Sequence, residues 1–346
     1  MSPAPLLSVK GLRVGFSTEG GLLQAVDDVS FEVRPGEVVA IVGESGSGKS
    51  VTAQTIMGLT RSKNARIEGT AEFEGMDLIE ASDAELRRLR GDRVAMVFQD
   101  PMTSFNPVYR LGAQIGEAIR AHRDGVSKSE ARARAVELFE AVGIPNAEGR
   151  VDDYPHEFSG GMRQRAMIAM ALALEPDLLI ADEPTTALDV TIQAQILELL
   201  RELNRKRNLA TILITHDLGV VAEIADRVLV MYAGRVVEQG TLDQIFFDPQ
   251  HPYTWGLLGS LTRLDKPRPV RLPQISGAPP SLLALPEGCS FRPRCPHEFG
   301  PCIDLPPLQA RLRDEPGHCD RCWLSPEAKK EKRQVAGQIG LEAPTP

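Results

Sequence analysis

An α/β domain with a largely parallel sheet is predicted for residues 1–250 by three observations. Short apolar runs recur without polar alternation, the pattern of strands buried on both faces. Segments with apolar residues at helical spacing separate them. The first of the runs also leads directly into a glycine-rich loop and then a helical segment.

In chain order, VVAIV (Val38–Val42) is the first buried strand. GESGSGKS (Gly43–Ser50) follows, fitting the pattern G-x-x-x-x-G-K-[ST], and a helix is predicted over Val51–Met57. The glycines let the backbone curl until successive N–H groups face a phosphate at a helix N-terminus. Lys49 adds a mobile positive charge, and the Ser50 hydroxyl is a ligand for Mg²⁺. Strand, loop and helix in this order point to ATP or GTP.

VAMVF (Val94–Phe98) is the next strand and ends at Gln99. From about 100 to 172 the chain reads as mainly helical, with Glu130–Val142 as a clear amphipathic segment. LLIA (Leu178–Ala181) is a third buried strand, closed by the carboxylates Asp182 and Glu183. Neighbouring side chains on a strand point to opposite faces, so both reach one site only if the chain turns there. Asp182 then suits Mg²⁺, directly or through water, and Glu183 suits the polarisation of an attacking water. An isolated Asp-Glu pair at a strand end is ordinarily just solvated; the phosphate loop upstream changes that reading. Ile192, Ile196, Leu199, Leu200 and Leu203 make one helical stripe, and TILIT (Thr211–Thr215) is a fourth strand, leading to His216.

From about 265 to 307 prolines crowd in and periodicity fades, so a small irregular extension is expected over 251–325. The polar, charged segment 326–346 is expected to be a disordered tail. No long internal repeat is present.

A net charge of −8 argues against general nucleic-acid binding, and no nucleic-acid partner is expected. No apolar run approaches the roughly 18–20 residues of a membrane helix. The richest stretch, Leu209–Met231, is broken by His216, Asp217, Glu223, Asp226 and Arg227. MSPAPLLSVKG lacks the charged start and apolar core of a signal peptide. The expectation is a cytosolic protein that meets a membrane only through partners.

All five cysteines, Cys289, Cys295, Cys302, Cys319 and Cys322, fall in the proline-rich extension. Disulfides are disfavoured in the cytosol, so a metal or cluster is the natural reading of such crowding. Four thiolates suit a 4Fe–4S cluster; zinc takes four Cys or Cys/His ligands, and His297 and His318 stand nearby. Only Cys319 and Cys322 form the close pair usual for zinc, and free thiols are the third possibility.

FSGGM, with Ser159, Gly160, Gly161 and Met162 opening a helix, resembles the signature motif of ABC-type ATPases. Gln99 is placed like their Q-loop glutamine, Asp189 like their D-loop aspartate, and His216 like their switch histidine. The resemblance implies an ABC-type P-loop ATPase domain: a RecA-like core, an antiparallel β subdomain, and a helical subdomain at about 100–172. It implies that Gly43, Ser45, Gly46, Ser47, Gly48, Lys49, Ser50 and Val51 hold the nucleotide, with Phe16 stacking on the base. Ser50, Gln99 and Asp182 attend Mg²⁺, and Glu183, His216 and Gln99 serve hydrolysis. Ser159, Gly160, Gly161, Met162 and Asp189 reach the nucleotide of the opposite subunit.

QDPMTSFNP (Gln99–Pro107), FSGGMRQRAMIAMAL (Phe158–Leu172), HPYTWGLL (His251–Leu258) and GCSFRPRCPHEFGPC (Gly288–Cys302) resemble the D-type ATPase subunit of oligopeptide and dipeptide ABC importers. That resemblance implies a heterodimer with an F-type ATPase and docking under two membrane permease subunits, at the cytoplasmic face of the inner membrane. An extracytoplasmic binding protein then delivers the cargo. It implies a 4Fe–4S cluster on Cys289, Cys295, Cys302 and Cys319, with Cys322 spare. Met102, Phe105 and Tyr109 are candidate permease contacts or, equally, core residues of the helical subdomain. Related importers carry nickel, glutathione or sugars, which keeps those cargoes open. A soluble ABC ATPase or a P-loop kinase is the other class, but neither a duplicated cassette, a coiled coil nor an acceptor-substrate site is present.

Overall fold

The computed structural model describes residues 4–185, 188–260, 275–310 and 317–335. Strands β1 (Leu7–Thr18) and β2 (Gly21–Val33) form a long hairpin. Together with β4 (Ala65–Phe73) and β5 (Met76–Asp77) they make an antiparallel sheet in the order β2-β1-β4-β5. Between the two pairs the chain enters the second sheet through β3 (Val38–Val42) and leaves it by α1 (Lys49–Ile56). Helix α2 (Asp83–Leu89), capped by Ser82, precedes β6 (Val94–Val97).

Helices α3 (Pro101–Ser104), α4 (Leu111–His122), α5 (Lys128–Ala141), α6 (Ala147–Arg150) and α7 (Gly160–Ala171) then run almost without interruption. Ser127 and Glu130 cap α5 reciprocally, satisfying two otherwise orphaned amide groups and placing the helix start two residues ahead of the amphipathic pattern. The chain returns to the sheet in β7 (Leu178–Asp182), α8 (Val190–Arg207), β8 (Ala210–Ile214), α9 (Leu218–Ile224), β9 (Arg227–Tyr232) and β10 (Arg235–Thr241). Strands β6, β7, β8, β3 and β9 are parallel neighbours in that order.

Burial on both faces explains their unbroken apolar sequences. In β3, Val39 and Ile41 join the core under the antiparallel sheet, while Ala40 and Val42 face the layer built on α9 and β9. In β7, Leu178 and Ile180 take the first face and Leu179 and Ala181 pack against the helices.

Beyond α10 (Leu242–Phe247) and α11 (Pro252–Gly259) the chain folds back on the core. The part of the proline-rich stretch at 265–274 lies outside the described residues; the rest carries two short 3₁₀ turns, Arg292–Arg294 and Gly300–Ile303. Strands β11 (Gln309–Ala310) and β12 (Cys319–Asp320) extend the large sheet to the order β11-β12-β10-β9-β3-β8-β7-β6. The extension is thus tied into the central sheet by backbone pairing.

The charged stretch after 325, expected to be disordered, forms α12 (Pro326–Val335) as far as it is described. Lys329 is the reason: its ammonium lies 2.7 Å from Asp320 on β12, with both side chains 1% exposed. Leaving one member of such a pair alone and buried costs about 3–5 kcal/mol, so the helix is held once β12 forms. Leu324 and Ala328 add apolar contact with Trp255 and Cys322. Among the described residues no helix is long and apolar enough to cross a membrane.

Candidate functional site

The phosphate loop joins β3 to α1. Gly43 has φ +151°, and a Cβ there would lie 2.2 Å from the Met231 carbonyl oxygen. Gly48 has φ +100°, and its Cβ would meet the Ala25 oxygen at 2.5 Å. Neither position accepts a side chain, because neighbouring backbone already fills the space. The loop is pinned from outside, since Gly234 N–H donates to the Ser47 oxygen at 3.0 Å.

Lys49 is buried and donates to the carbonyls of Gly43 (2.8 Å) and Glu44 (3.0 Å). Burial lowers its pKa, opposed by the charges of Glu183, Asp182 and Glu44. The result is a buried ammonium held between two carbonyl acceptors with three carboxylates nearby.

At the end of β7 the chain makes the turn that the two carboxylates require. Glu183 takes φ +50°, a left-handed conformation that costs a non-glycine residue about 1–3 kcal/mol. Its N–H donation to the Ile214 oxygen at 2.8 Å holds it there. Asp182, 2% exposed, accepts the Ser50 hydroxyl at 3.0 Å. Burial pushes the Asp182 carboxyl pKa up, against the Ser50 hydrogen bond, so a bound dication would relieve an unfavourable charge. The donors are hard oxygens, which fits Mg²⁺.

Glu183 gathers the remaining predicted groups. The Gln99 amide donates to Oε2 at 3.2 Å, and His216 Nδ1 lies 3.2 Å from Oε1. Residues that sequence spacing separates by 84 and 33 positions therefore meet on one carboxylate.

A cavity of about 240 Å³ opens above the loop, lined by Phe16, Ser45–Val51, Gln99 and Glu183. Leu23, Ala25 and Leu282 line it too, and sequence reading missed all three. Leu23 and Ala25 follow from the β1–β2 pairing, in which Phe16 stands opposite Leu23. Leu282 comes from the extension, which no local pattern ties to this cavity.

Ser159, Gly160, Gly161, Met162 and Asp189 stand elsewhere and do not line this cavity. Ser159 caps α7 by accepting Met162 N–H at 3.3 Å, and Asp189 caps α8 by accepting Ile192 N–H at 3.0 Å. Ser159, Gly160 and Asp189 are exposed. Of the three residues read as permease contacts or core, Phe105 is buried in the helical core and packs there. Tyr109 is 59% exposed beside Val108 at 71%, and the Met102 side chain lies outside the described residues.

The iron–sulfur expectation is overturned. Among the described residues no group of three or more His, Cys, Asp or Glu side chains is placed to hold a metal. Cys289, Cys295, Cys302 and Cys322 line a common space of about 10 Å³, room for at most one water. Cys319, one of the four expected ligands, does not line it: it sits on β12 and shares a hydrogen bond with Gln239 on β10. Burial raises the Cys289 thiol pKa and pushes Cys295 to about 12 and Cys322 to about 11. Cys289 and Cys295 pack beside Phe291, and Cys322 beside Trp255, as small apolar side chains.

With this geometry in hand, the comparisons with known proteins agree. A family model described as ABC transporter matches residues 26–186, and one described as Oligopeptide/dipeptide transporter, C-terminal region, matches residues 237–302. The chain is 54% identical over 320 residues to the dipeptide transport ATP-binding protein DppD of Bacillus subtilis, covering 92% of this chain and 94% of that protein. It is 54% identical over 318 residues to the oligopeptide transport ATP-binding protein OppD of Salmonella typhimurium, covering 92% and 93%. Among solved structures it is similar to an ATP-binding cassette determined as a dimer in a post-hydrolysis state with ADP and Pi. The TM-score there is 0.63 at 28% identity, covering 68% of this chain and 98% of that one.

Proposed function

The chain belongs to the ATP-binding subunits of ABC transporters of the oligopeptide/dipeptide kind, and from that premise we propose that it hydrolyses ATP to energise peptide import. The observation that carries the catalytic part is Glu183, held between Gln99 and His216 at the mouth of the phosphate-loop cavity.

On nucleotide binding, Lys49 exchanges its two carbonyl partners for the phosphates, and the N–H groups of residues 45–51 complete the anion site. Ser50 and Asp182, with Gln99 beside them, would hold Mg²⁺, which would screen the phosphate charge. The γ-phosphate draws Gln99 and His216 from Glu183, whose carboxylate then orients water and accepts its proton. Phe16 stacks on the base across from Leu23. Ser159, Gly160, Gly161, Met162 and Asp189 act on a nucleotide held by a partner subunit, which brings them opposite its phosphate loop.

In this arrangement residues 1–250 are the ATPase domain, with helices at about 100–172 facing the permease, and 251–325 are the importer-type extension. The partner ATPase is an F-type subunit, the assembly sits peripherally at the cytoplasmic face of the inner membrane under two permease subunits, and a binding protein outside presents the peptide. Tyr109 and Val108, both exposed beside the Gln99 loop, are the permease contacts.

Replacing Phe16 by Ala should raise KM for ATP by about 5- to 150-fold, the span of about 1–3 kcal/mol for an aromatic–base stack, with kcat little changed. Steady-state kinetics at varied ATP check this; an unchanged KM removes Phe16 from the site. Placing Asp at both Val108 and Tyr109 should leave nucleotide binding intact and release the chain from membranes that contain the permease subunits. Sedimentation with those membranes tests the assignment to a transporter: wild-type chain that stays in the supernatant contradicts it.

A further inference from the structure

Arg294 lies 250 positions from the phosphate loop yet makes the closest polar contact between the extension and that loop. Its Nη1 donates to Glu44 Oε2 at 2.6 Å and its Nη2 to Oε1 at 3.0 Å, a two-pronged pairing with the residue that follows Gly43. Nε donates to the Ser276 oxygen at 2.9 Å, Nη1 also reaches the Tyr232 hydroxyl at 3.3 Å, and the guanidinium sits 5.8 Å from the Tyr232 ring centre. The side chain is 5% exposed, so it is a fixed platform.

Glu44 is equally constrained. Its N–H donates to the Tyr253 hydroxyl at 2.8 Å, and its carbonyl accepts from Lys49 at 3.0 Å and from Ser47 N–H at 3.2 Å. The residue that carries the Arg294 contact is therefore the residue whose backbone holds the phosphate-binding lysine. Its carboxylate also lies close enough for its charge to act on Lys49. Left unpaired, that carboxylate would oppose the phosphates of ATP and compete for the lysine; the bidentate guanidinium cancels it. Leu282, from the same extension, already lines the nucleotide cavity.

We propose that Arg294 is a positioning residue for ATP: through Glu44 it sets the first turn of the phosphate loop and screens the one loop carboxylate from the nucleotide. The extension is thereby part of the ATP site. This rests on the cavity being the ATP site. ATP binding by the wild-type full chain therefore serves as the control; its failure would overturn that reading instead.

The test is a direct MgATP titration of full-length Arg294→Ala, Arg294→Lys, Glu44→Gln and the double variant Glu44→Gln/Arg294→Ala, with thermal melting measured alongside. Arg294→Ala should weaken ATP binding about tenfold, the scale of losing a charge-assisted contact and exposing its partner charge. Arg294→Lys, which keeps the charge and loses the fork, should fall between. The double variant should recover most of the loss, because no uncompensated carboxylate remains. A melting temperature lowered with ATP affinity unchanged would make Arg294 merely a clamp on the extension and overturn the proposal. A double variant no better than Arg294→Ala would overturn the screening role. Should Arg294→Ala fail to fold, Arg294→Lys with wild-type affinity decides against it.

Discussion

Glu183→Gln is expected to bind ATP about as the wild-type chain does and to hydrolyse it at least ~10²-fold more slowly, the range for losing a general base. The substitution keeps the shape of the side chain and leaves Ser50, Asp182 and Lys49 in place. The Gln99 and His216 contacts lose a charged acceptor but not their geometry. What disappears is the group that takes the proton from water. Because the nucleotide persists, ATP-bound dimers should accumulate, visible as a second species by size-exclusion chromatography in the presence of MgATP. Turnover near the wild-type rate in the assembled complex would remove Glu183 from the chemical step.

Lys49→Ala should fail earlier, at binding. The ammonium now satisfies two loop carbonyls inside a buried setting, and three carboxylates bias it toward the charged form. Removing it deletes the cation that bridges the loop carbonyls and leaves Asp182 and Glu183 facing the phosphates. Affinity for MgATP should fall about tenfold or more, the scale of a hydrogen bond to a charged group. Equilibrium titration distinguishes this from the Glu183 effect, and an affinity equal to wild type contradicts the assignment. Two neighbouring side chains thus separate by mechanism, one through binding and one through the rate of the bound state.

Four of the five parallel strands, β3, β6, β7 and β8, were legible because their two buried faces leave no polar alternation, and VVAIV coincides with β3 residue for residue, whereas β9 was not read as a strand. The glycine-rich turn between β3 and α1 was legible because its residues lie close together in sequence. The turn at Glu183 was only a condition in the sequence; its left-handed backbone is imposed by pairing with Ile214 on β8. Contacts across the chain were legible only where motifs carried them, as for Glu183 with Gln99 and His216. Nothing local announces that Glu44 meets Arg294 or that Leu282 reaches the nucleotide cavity.

The cysteines show the opposite error. The expected ligand set included Cys319, but β12 takes Cys319 to Gln239 while the other four thiols close around a space too small for a cluster. The charged tail misled similarly. Lys329 looks like a solvated residue until Asp320, fixed on β12, offers it a buried partner. Sequence left Phe105 and Tyr109 open between contact and core; the neighbouring helices bury Phe105 and leave Val108 and Tyr109 outside.

The central claim is that ATP hydrolysis at Glu183 drives peptide across a membrane. The direct measurement is uptake of labelled peptide into vesicles carrying the permease subunits and both ATPase subunits, with the binding protein supplied on the substrate side. Uptake should require ATP on the side of this chain, rise with peptide-loaded binding protein, and vanish with Glu183→Gln while the complex stays assembled. ATP-dependent uptake that continues at the wild-type rate in that variant, or ATP turnover in the wild-type complex with no peptide moved, would contradict it.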